Sequence, residues 1–190
     1  ATGATVVGRK IGATSEAVQK QLGVDQPDFG YLLSEMDVSY GTDGTPISMR
    51  TLVQPRVEAE VAFRLGRDID VPEEQITIEL VREAVDVALP ALEIVDSRIE
   101  GWDIEFTDTV ADNASSGLYV ICDAGLPLTE IEPRDVQMSL TINDEERPSG
   151  TGAARLGAPL EALRLLASTA ARLGAPLRPR PPLRSGAVRL

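Results

Sequence analysis

Between Arg56 and Phe63 the chain alternates charged or small residues with apolar ones, reading Arg-Val-Glu-Ala-Glu-Val-Ala-Phe. The two-residue period and the β-branched Val57 and Val61 predict a strand over 56–65. Glu58, Glu60 and Ala62 then share one face, and Val57, Ala59, Val61 and Phe63 the other. Further strands are predicted over 1–12, where Val6, Val7 and Ile11 are apolar, and over 47–53, 91–99, 117–122 and 136–142. Helical spacing of apolar residues marks 76–89, closed by Pro90, and 160–173, opened by Pro159. A short helix is expected over 14–23, with Thr14 as N-cap and Gly23 as its stop. Residues 25–30, 40–46, 66–74, 109–116, 143–146 and 148–157 read as turns or loops, and 31–36 as a short amphipathic segment. No internal repeat is visible.

The 174–190 stretch is different in kind, dominated by Pro and Arg. Proline blocks a helix or a central strand, so a disordered tail is expected there, with a basic recognition arm as the alternative. Charge follows the same division. The net charge is −12, with the acids concentrated before residue 151 and seven arginines against a single acid after it. This balance argues against nucleic acid or an anionic membrane as partner. No apolar run is long enough to span a bilayer, and no signal-like segment opens the chain. The single cysteine, Cys122, excludes an internal disulfide framework and fits a cytoplasmic location; its apolar flank reads as packing. There is no histidine, which removes His-based general base chemistry, Ser-His-Asp triads and the usual zinc sites. Catalysis must then use carboxylates, Lys, Arg, Tyr, Ser, backbone groups or a metal held by oxygen.

Glu58 and Glu60 stand about 6–7 Å apart on one strand face. They form either a solvated acidic face or, with a compensating divalent cation, two ligands of a metal site. Glu93 lies in a largely apolar strand one strand-helix-strand unit further on. Flanked by Leu92 and Ile94, it faces away from both and could converge on the same pocket, giving a facial site with open positions.

Five ordered motifs carry a specific resemblance. They are Gly8-Arg9-Lys10-Ile11-Gly12, Leu22 to Gly30, Gln54-Pro55-Arg56-Val57-Glu58-Ala59-Glu60, Leu89 to Ile99, and Asp108-Thr109-Val110-Ala111-Asp112-Asn113-Ala114-Ser115-Ser116-Gly117. From about residue 6 to 173 the chain resembles the 2-oxopent-4-enoate (2-hydroxypenta-2,4-dienoate) hydratases of the fumarylacetoacetate hydrolase superfamily, which act in meta-cleavage pathways for aromatic compounds. The sister 4-oxalocrotonate (2-oxo-3-hexenedioate) decarboxylases share the Glu-x-Glu and Val-Ala-Asp-Asn-Ala-Ser patterns, but the 24–30 loop looks like the hydratase version.

The resemblance implies a β-rich α+β fold, a mixed sheet rolled around the acidic pocket with the helices packed outside. It implies Mg²⁺ or Mn²⁺ held by Glu58, Glu60 and Glu93, chelating the carboxylate and 2-oxygen of a 2-hydroxydienoate or 2-oxo acid. Lys10 and Asp28 match pocket positions, with a surface lysine and a turn-forming aspartate as the plainer alternatives. Ser115 and Asp112 would bind substrate or brace their own loop. Asp96 and Arg98 read as a structural ion pair. A homo-oligomer is implied, with association with the sister decarboxylase or the next pathway enzyme as a further possibility.

The chain departs from the family at both ends. Members carry several dozen residues before the Gly-Arg-Lys-Ile-Gly strand, and more strands after the second long helix. Here Leu177-Arg178 runs into Pro179-Arg180-Pro181-Pro182, as a reading-frame shift or truncation would produce. The expectation is one catalytic domain over 1–173, incomplete relative to the family, followed by a divergent tail over 174–190; a non-catalytic remnant or partner subunit is the rival reading.

Overall fold

The alternating run at 56–65 becomes half of the longest ladder in the computed structural model, which describes residues 3–14, 19–20, 26–151, 158–179 and 187–189. The strands are β1 (Val6–Gly12), β2 (Asp28–Leu33), β3 (Pro55–Leu65), β4 (Val85–Asp96), β5 (Ser116–Ile121), β6 (Gln137–Ile142), β7 (Glu145–Thr151) and β8 (Ala187–Arg189). The α-helices among the described residues are α1 (Ile78–Ala84), α2 (Phe106–Ala111) and α3 (Pro159–Arg172). One mixed sheet has the order β2-β1-β8-β3-β4-β5, and β6-β7 forms a separate hairpin. β3 and β4 pair antiparallel from Pro55 opposite Asp96 to Leu65 opposite Val85.

The sheet rolls until its edges approach. Beyond β2, Asp37 bridges Tyr119 of β5, and the Val38 N–H donates to the Tyr119 carbonyl at 2.9 Å. Inside the roll, Val7, Leu32, Ala62, Leu89, Ala91, Tyr119 and Ile121 form one buried cluster. On the other side, Val61, Phe63 and Ala88 pack under α1 and α3 with Val81, Leu160, Leu163, Leu166 and Leu177. In α3, Leu160, Leu163 and Leu166 recur every three residues and face the sheet. Burying each contributes about 1.5–3 kcal/mol before the entropy of ordering is set against it.

Several elements differ from the sequence expectation. The 76–89 helix ends at Ala84, its first turn capped by the Thr77 hydroxyl, which accepts from the Leu80 N–H at 3.2 Å. Val85, Val87 and Leu89 instead extend β4, because the ladder with β3 outweighs a helical apolar spacing. Pro90 sits inside that strand. Its carbonyl accepts from Cys122 N–H at 2.9 Å, just past the end of β5, so its missing N–H falls where that ladder stops. Residues 47–53 form no strand. The buried Asp96 carboxylate accepts from the N–H groups of Val53 at 2.9 Å and Gln54 at 2.6 Å, replacing a partner strand. Part of the expected 109–116 loop is helical, α2 being opened at its N-terminus by a reciprocal capping box between Glu105 and Asp108. The loop expected over 148–157 is strand as far as Thr151, and 152–157 lie outside the described residues. So does most of the helix expected over 14–23.

The tail is not without structure. Leu177 is buried in the outer core and bridges Ile69, and Arg178 pairs with Asp68 and Asp70. Ala187–Arg189 forms a strand between β1 and β3, at a position where no proline stands. The acidic 68–70 segment supplies the counter-charges that a basic tail lacks within itself.

Candidate metal and substrate site

Register brings the acids together. Glu58 lies directly opposite Glu93, and Glu60 opposite Ala91. Opposed residues share a face, so Glu58, Glu60 and Glu93 all look to the same side as Ala62, Leu89 and Tyr119, the inside of the roll. Opposed Cβ atoms stand about 4.5–5.5 Å apart, within reach of a shared ion for side chains as long as Glu. Glu60 and Glu93 are buried at 4% and 6% exposure, and Glu58 is exposed.

Lys10 comes from β1 on the other side of the roll. Its buried ammonium donates to Glu93 Oε1 at 2.7 Å and to the Ala114 carbonyl at 2.7 Å. In this conformation no three acidic side chains among the described residues close on one point as ligands.

Asp28 is the first residue of β2 and lies opposite Gly12, not in the loop expected at 25–30. Gly12 and Gly30 of the β1–β2 pair make the room. A Cβ on Gly12 would strike the Asp28 carboxylate, and one on Gly30, opposite Lys10, would meet the Asn113 carbonyl at 2.7 Å. Gly12→Ala is therefore expected to lower stability by about 1–3 kcal/mol, as overpacking does. Thermal unfolding followed by circular dichroism measures this, and an unchanged melting temperature would contradict the close approach.

Burial pushes the Asp28 carboxyl above its ordinary value. The Lys10 ammonium and the Thr109 hydroxyl pull it back, and the Glu93 carboxylate adds to the rise. An acid with a raised folded pKa binds more protons in the native state than in the unfolded one. The metal-free fold thus loses stability as pH climbs from the ordinary carboxylate range through the raised value, and the loss persists above it. Asp28→Asn should raise the melting temperature of the metal-free protein at neutral pH, with little change below the ordinary carboxylate range. Turnover should fall by about 10²–10⁴-fold if Asp28 moves protons. Melts at the two pH values, beside kcat, check both arms; a variant that melts lower at neutral pH contradicts the first.

The segment after α2 holds the remaining candidates. Asn113, Ala114 and Ser115 take φ values of 53°, 58° and 49° in succession, a left-handed turn that costs about 1–2 kcal/mol for each ordinary L-residue. It is held by the Ala114 N–H donating to the Thr109 carbonyl at 2.6 Å and the Asp96 N–H donating to the Ser115 carbonyl at 2.8 Å. Ser115 Oγ and Asp28 Oδ1 are buried without a hydrogen-bond partner among the described residues. Asp112 turns to Arg98, 3.3 Å away. Arg98 also donates to the carbonyls of Asp96 and Ser116, so the ion pair expected between Asp96 and Arg98 is replaced by one with Asp112.

The structure thus gathers Lys10, Glu93, Asp28 and, beside Ala114, Ser115, with Glu58 and Glu60 on the same inner face; Asp112 sits on Arg98. Sequence reasoning missed Thr109, the Ala114 carbonyl and Asn113. An Asn at the head of a short polar run before a strand was the available signal for a left-handed turn. Among the described residues, the carboxylates of Glu58, Glu60, Glu93 and Asp28 lie on the side of the roll that holds the Lys10 ammonium. This all-oxygen donor set, together with the orphaned polar atoms of Asp28 and Ser115, fits a hard divalent cation and a polar substrate. An open cavity of about 590 Å³ lies mainly against the opposite face of β3 and β4, along Ala59, Val61, Pro90, Leu92 and Met138, and reaches Glu60. Its walls are mostly apolar, whereas the candidate ligands lie on the acidic face.

Residues 5–179 match the family described as Fumarylacetoacetate (FAA) hydrolase C-terminal, and the chain belongs to that family. Within it, the chain is 52% identical over 167 residues to 2-keto-4-pentenoate hydratase 2 of Dechloromonas aromatica, covering 88% of this chain and 62% of that protein. It is also 52% identical over 193 residues to the 2-keto-4-pentenoate hydratase of Paraburkholderia xenovorans, covering 99% and 66%. Among solved structures, 4-oxalocrotonate decarboxylase from Pseudomonas putida G7, complexed with magnesium and adipate, matches with a TM-score of 0.81 and 30% identity over 98% of this chain and 67% of that one. The chain spans about two-thirds or less of the length of these relatives. The α+β fold class expected from sequence is the one observed. No helix among the described residues is long and apolar enough to cross a membrane.

Proposed function

We propose that this chain carries the site of a metal-dependent hydratase, which adds water to 2-hydroxypenta-2,4-dienoate to give 4-hydroxy-2-oxopentanoate. The observation that carries the reading is the convergence of Lys10 on Glu93, directly across the ladder from Glu58. The hydratase names of relatives at about half identity support the choice of reaction.

Glu58, Glu60 and Glu93 are the residues that would hold Mg²⁺ or Mn²⁺. The cation supplies Lewis acidity toward the carboxylate and 2-oxygen of the substrate. Lys10, fixed by Ala114 and Glu93, offers positive charge toward an oxygen that becomes negative. Ketonisation moves a proton from the 2-hydroxyl to the terminal carbon. Water then adds across the conjugated double bond, its oxygen to C4 and its proton to C3. Asp28, kept toward its protonated form by burial, would deliver and recover these protons. Ser115 Oγ, unpartnered among the described residues, can hydrogen-bond the substrate, while Asp112 braces the turn through Arg98. The cluster beneath, Ala62, Leu89 and Tyr119, closes the far side to water.

Turnover of 2-hydroxypenta-2,4-dienoate with and without Mg²⁺ or Mn²⁺ tests this. Metal-dependent loss of the dienol absorbance without CO₂ release is expected. The structural likeness to the decarboxylase favours one second reading, decarboxylation of 4-oxalocrotonate, and CO₂ from that substrate in place of hydration would establish it. No turnover of either by the folded chain would mark a non-catalytic remnant. Aromatic-compound catabolism, a cytoplasmic location, a homo-oligomer and association with the sister decarboxylase or the next pathway enzyme belong to the same proposal.

A further inference from the structure

The side chain of Asn113 pairs with the backbone of a single residue on another strand. Its Oδ1 accepts from the Tyr31 N–H at 2.7 Å, and its Nδ2 donates to the Tyr31 carbonyl at 2.9 Å. β2 is an edge strand of the sheet, so these are outward backbone groups that no neighbouring strand pairs. The amide acts as a one-residue strand, closing the roll between β2 and the segment that leads into β5. From the same residue, the carbonyl accepts from the Ser116 hydroxyl at 2.6 Å and lies over Gly30. Gly30 is the cross-strand partner of Lys10. The next residue supplies the Ala114 carbonyl that holds the Lys10 ammonium, and the one after it is Ser115.

We propose that Asn113 is a positioning residue: its amide clamp on Tyr31 sets the left-handed turn, and through the Ala114 carbonyl it fixes Lys10 against Glu93. The chemistry demands Asn. Its amide offers one donor and one acceptor side by side, matching one peptide unit's outward N–H and C=O. Asp would accept from the Tyr31 N–H but set a second carboxylate oxygen against the Tyr31 carbonyl. Asn also tolerates the left-handed backbone better than other non-glycine residues. As far as it concerns catalysis, this inference rests on the hydratase reading; as it concerns Lys10 in the metal-free protein, it does not.

Asn113→Gly separates the two roles, because glycine accepts the left-handed backbone and removes only the clamp. Asn113→Asp keeps a residue that tolerates the backbone and replaces the donor. The sequence has two lysines, Lys10 and the exposed Lys20. Amine acetylation of the metal-free protein, mapped by peptide mass spectrometry, therefore reads Lys10 against an internal reference. Both variants should melt cooperatively and acetylate Lys10 about tenfold faster relative to Lys20, as local opening requires. With metal and dienol, kcat should fall by about 10–100-fold while KM changes by less than about threefold, as for loss of an outer partner that orients a catalytic group. In a Lys10→Met background the same changes should cost little more, because the clamp then has no ammonium to place.

Unchanged Lys10 labelling in both variants overturns the proposal. So does a full, additive loss of kcat in the Lys10→Met background, which would show a merely structural role. If the wild-type chain hydrates nothing, the hydratase reading fails, and the labelling result alone decides the clamp. If Asn113→Gly does not fold, the labelling and kinetics of Asn113→Asp decide it.

Discussion

Glu60→Gln is expected to remove metal-dependent hydration by about 10³-fold, the several kcal/mol of Lewis-acid stabilisation converted at 1.36 kcal/mol per decade. The substitution keeps the shape of the side chain and deletes its charge. Glu60 is the stringent choice among the three acids. It is buried at 4% exposure between exposed Glu58 and the apolar residue Ala62 on the same strand face, so water cannot easily replace a lost ligand there. The metal-free variant should still melt cooperatively, because the substitution keeps the side chain's shape. Calorimetric titration with Mn²⁺, kcat, and a melt without metal check the three effects. Weaker metal binding and lost turnover in a folded variant separate a ligand from a structural carboxylate. Full metal-dependent activity in this variant would falsify the proposed ligand set.

How much of this could be read beforehand differs element by element. The period-two alternation of 56–65 was legible because the strand has one face to the roll and one to the helices, and that face assignment placed Glu58 and Glu60 together. Glu93 was legible for the same reason, with apolar neighbours on both sides. The Ala84–Val85 boundary was not. Apolar spacing at 78, 81, 85, 88 and 89 suits a helix, and only the eleven-position ladder with β3 decides for a strand. Pro90 misled similarly, because a proline whose missing N–H falls beyond a neighbour's end costs no ladder bond. Asp28 looked like a turn residue beside Pro27, since its pairing with Gly12 is long-range. The 113–115 turn depends on contacts to β2, β1 and β4 that no local pattern encodes. Leu177 lies among prolines and arginines, so composition hid a core residue that bridges Ile69.

The second large effect is expected at Lys10, through a contact that sequence could not show. Lys10→Met removes the ammonium from a buried Glu93 and from the Ala114 carbonyl. Breaking a buried pair by deleting one partner costs about 3–5 kcal/mol, much of it from the charge left behind. In the metal-free protein that should be visible as a large drop in melting temperature. A divalent cation binding beside Glu93 supplies positive charge of its own, and a ligand that binds only the folded state stabilises it by mass action. Saturating Mg²⁺ or Mn²⁺ should therefore raise the melting temperature of Lys10→Met by more than it raises that of the wild type. Turnover should stay low with metal present, by about 10²-fold or more, because the cation replaces Lys10 as a counter-charge but not as the group facing the substrate oxygen. Melts with and without metal, beside kcat at saturating metal, give the answer. An equal metal-induced rise in both proteins would mean that Lys10 and the cation do not share Glu93, and the site would have to be drawn without that residue as a ligand.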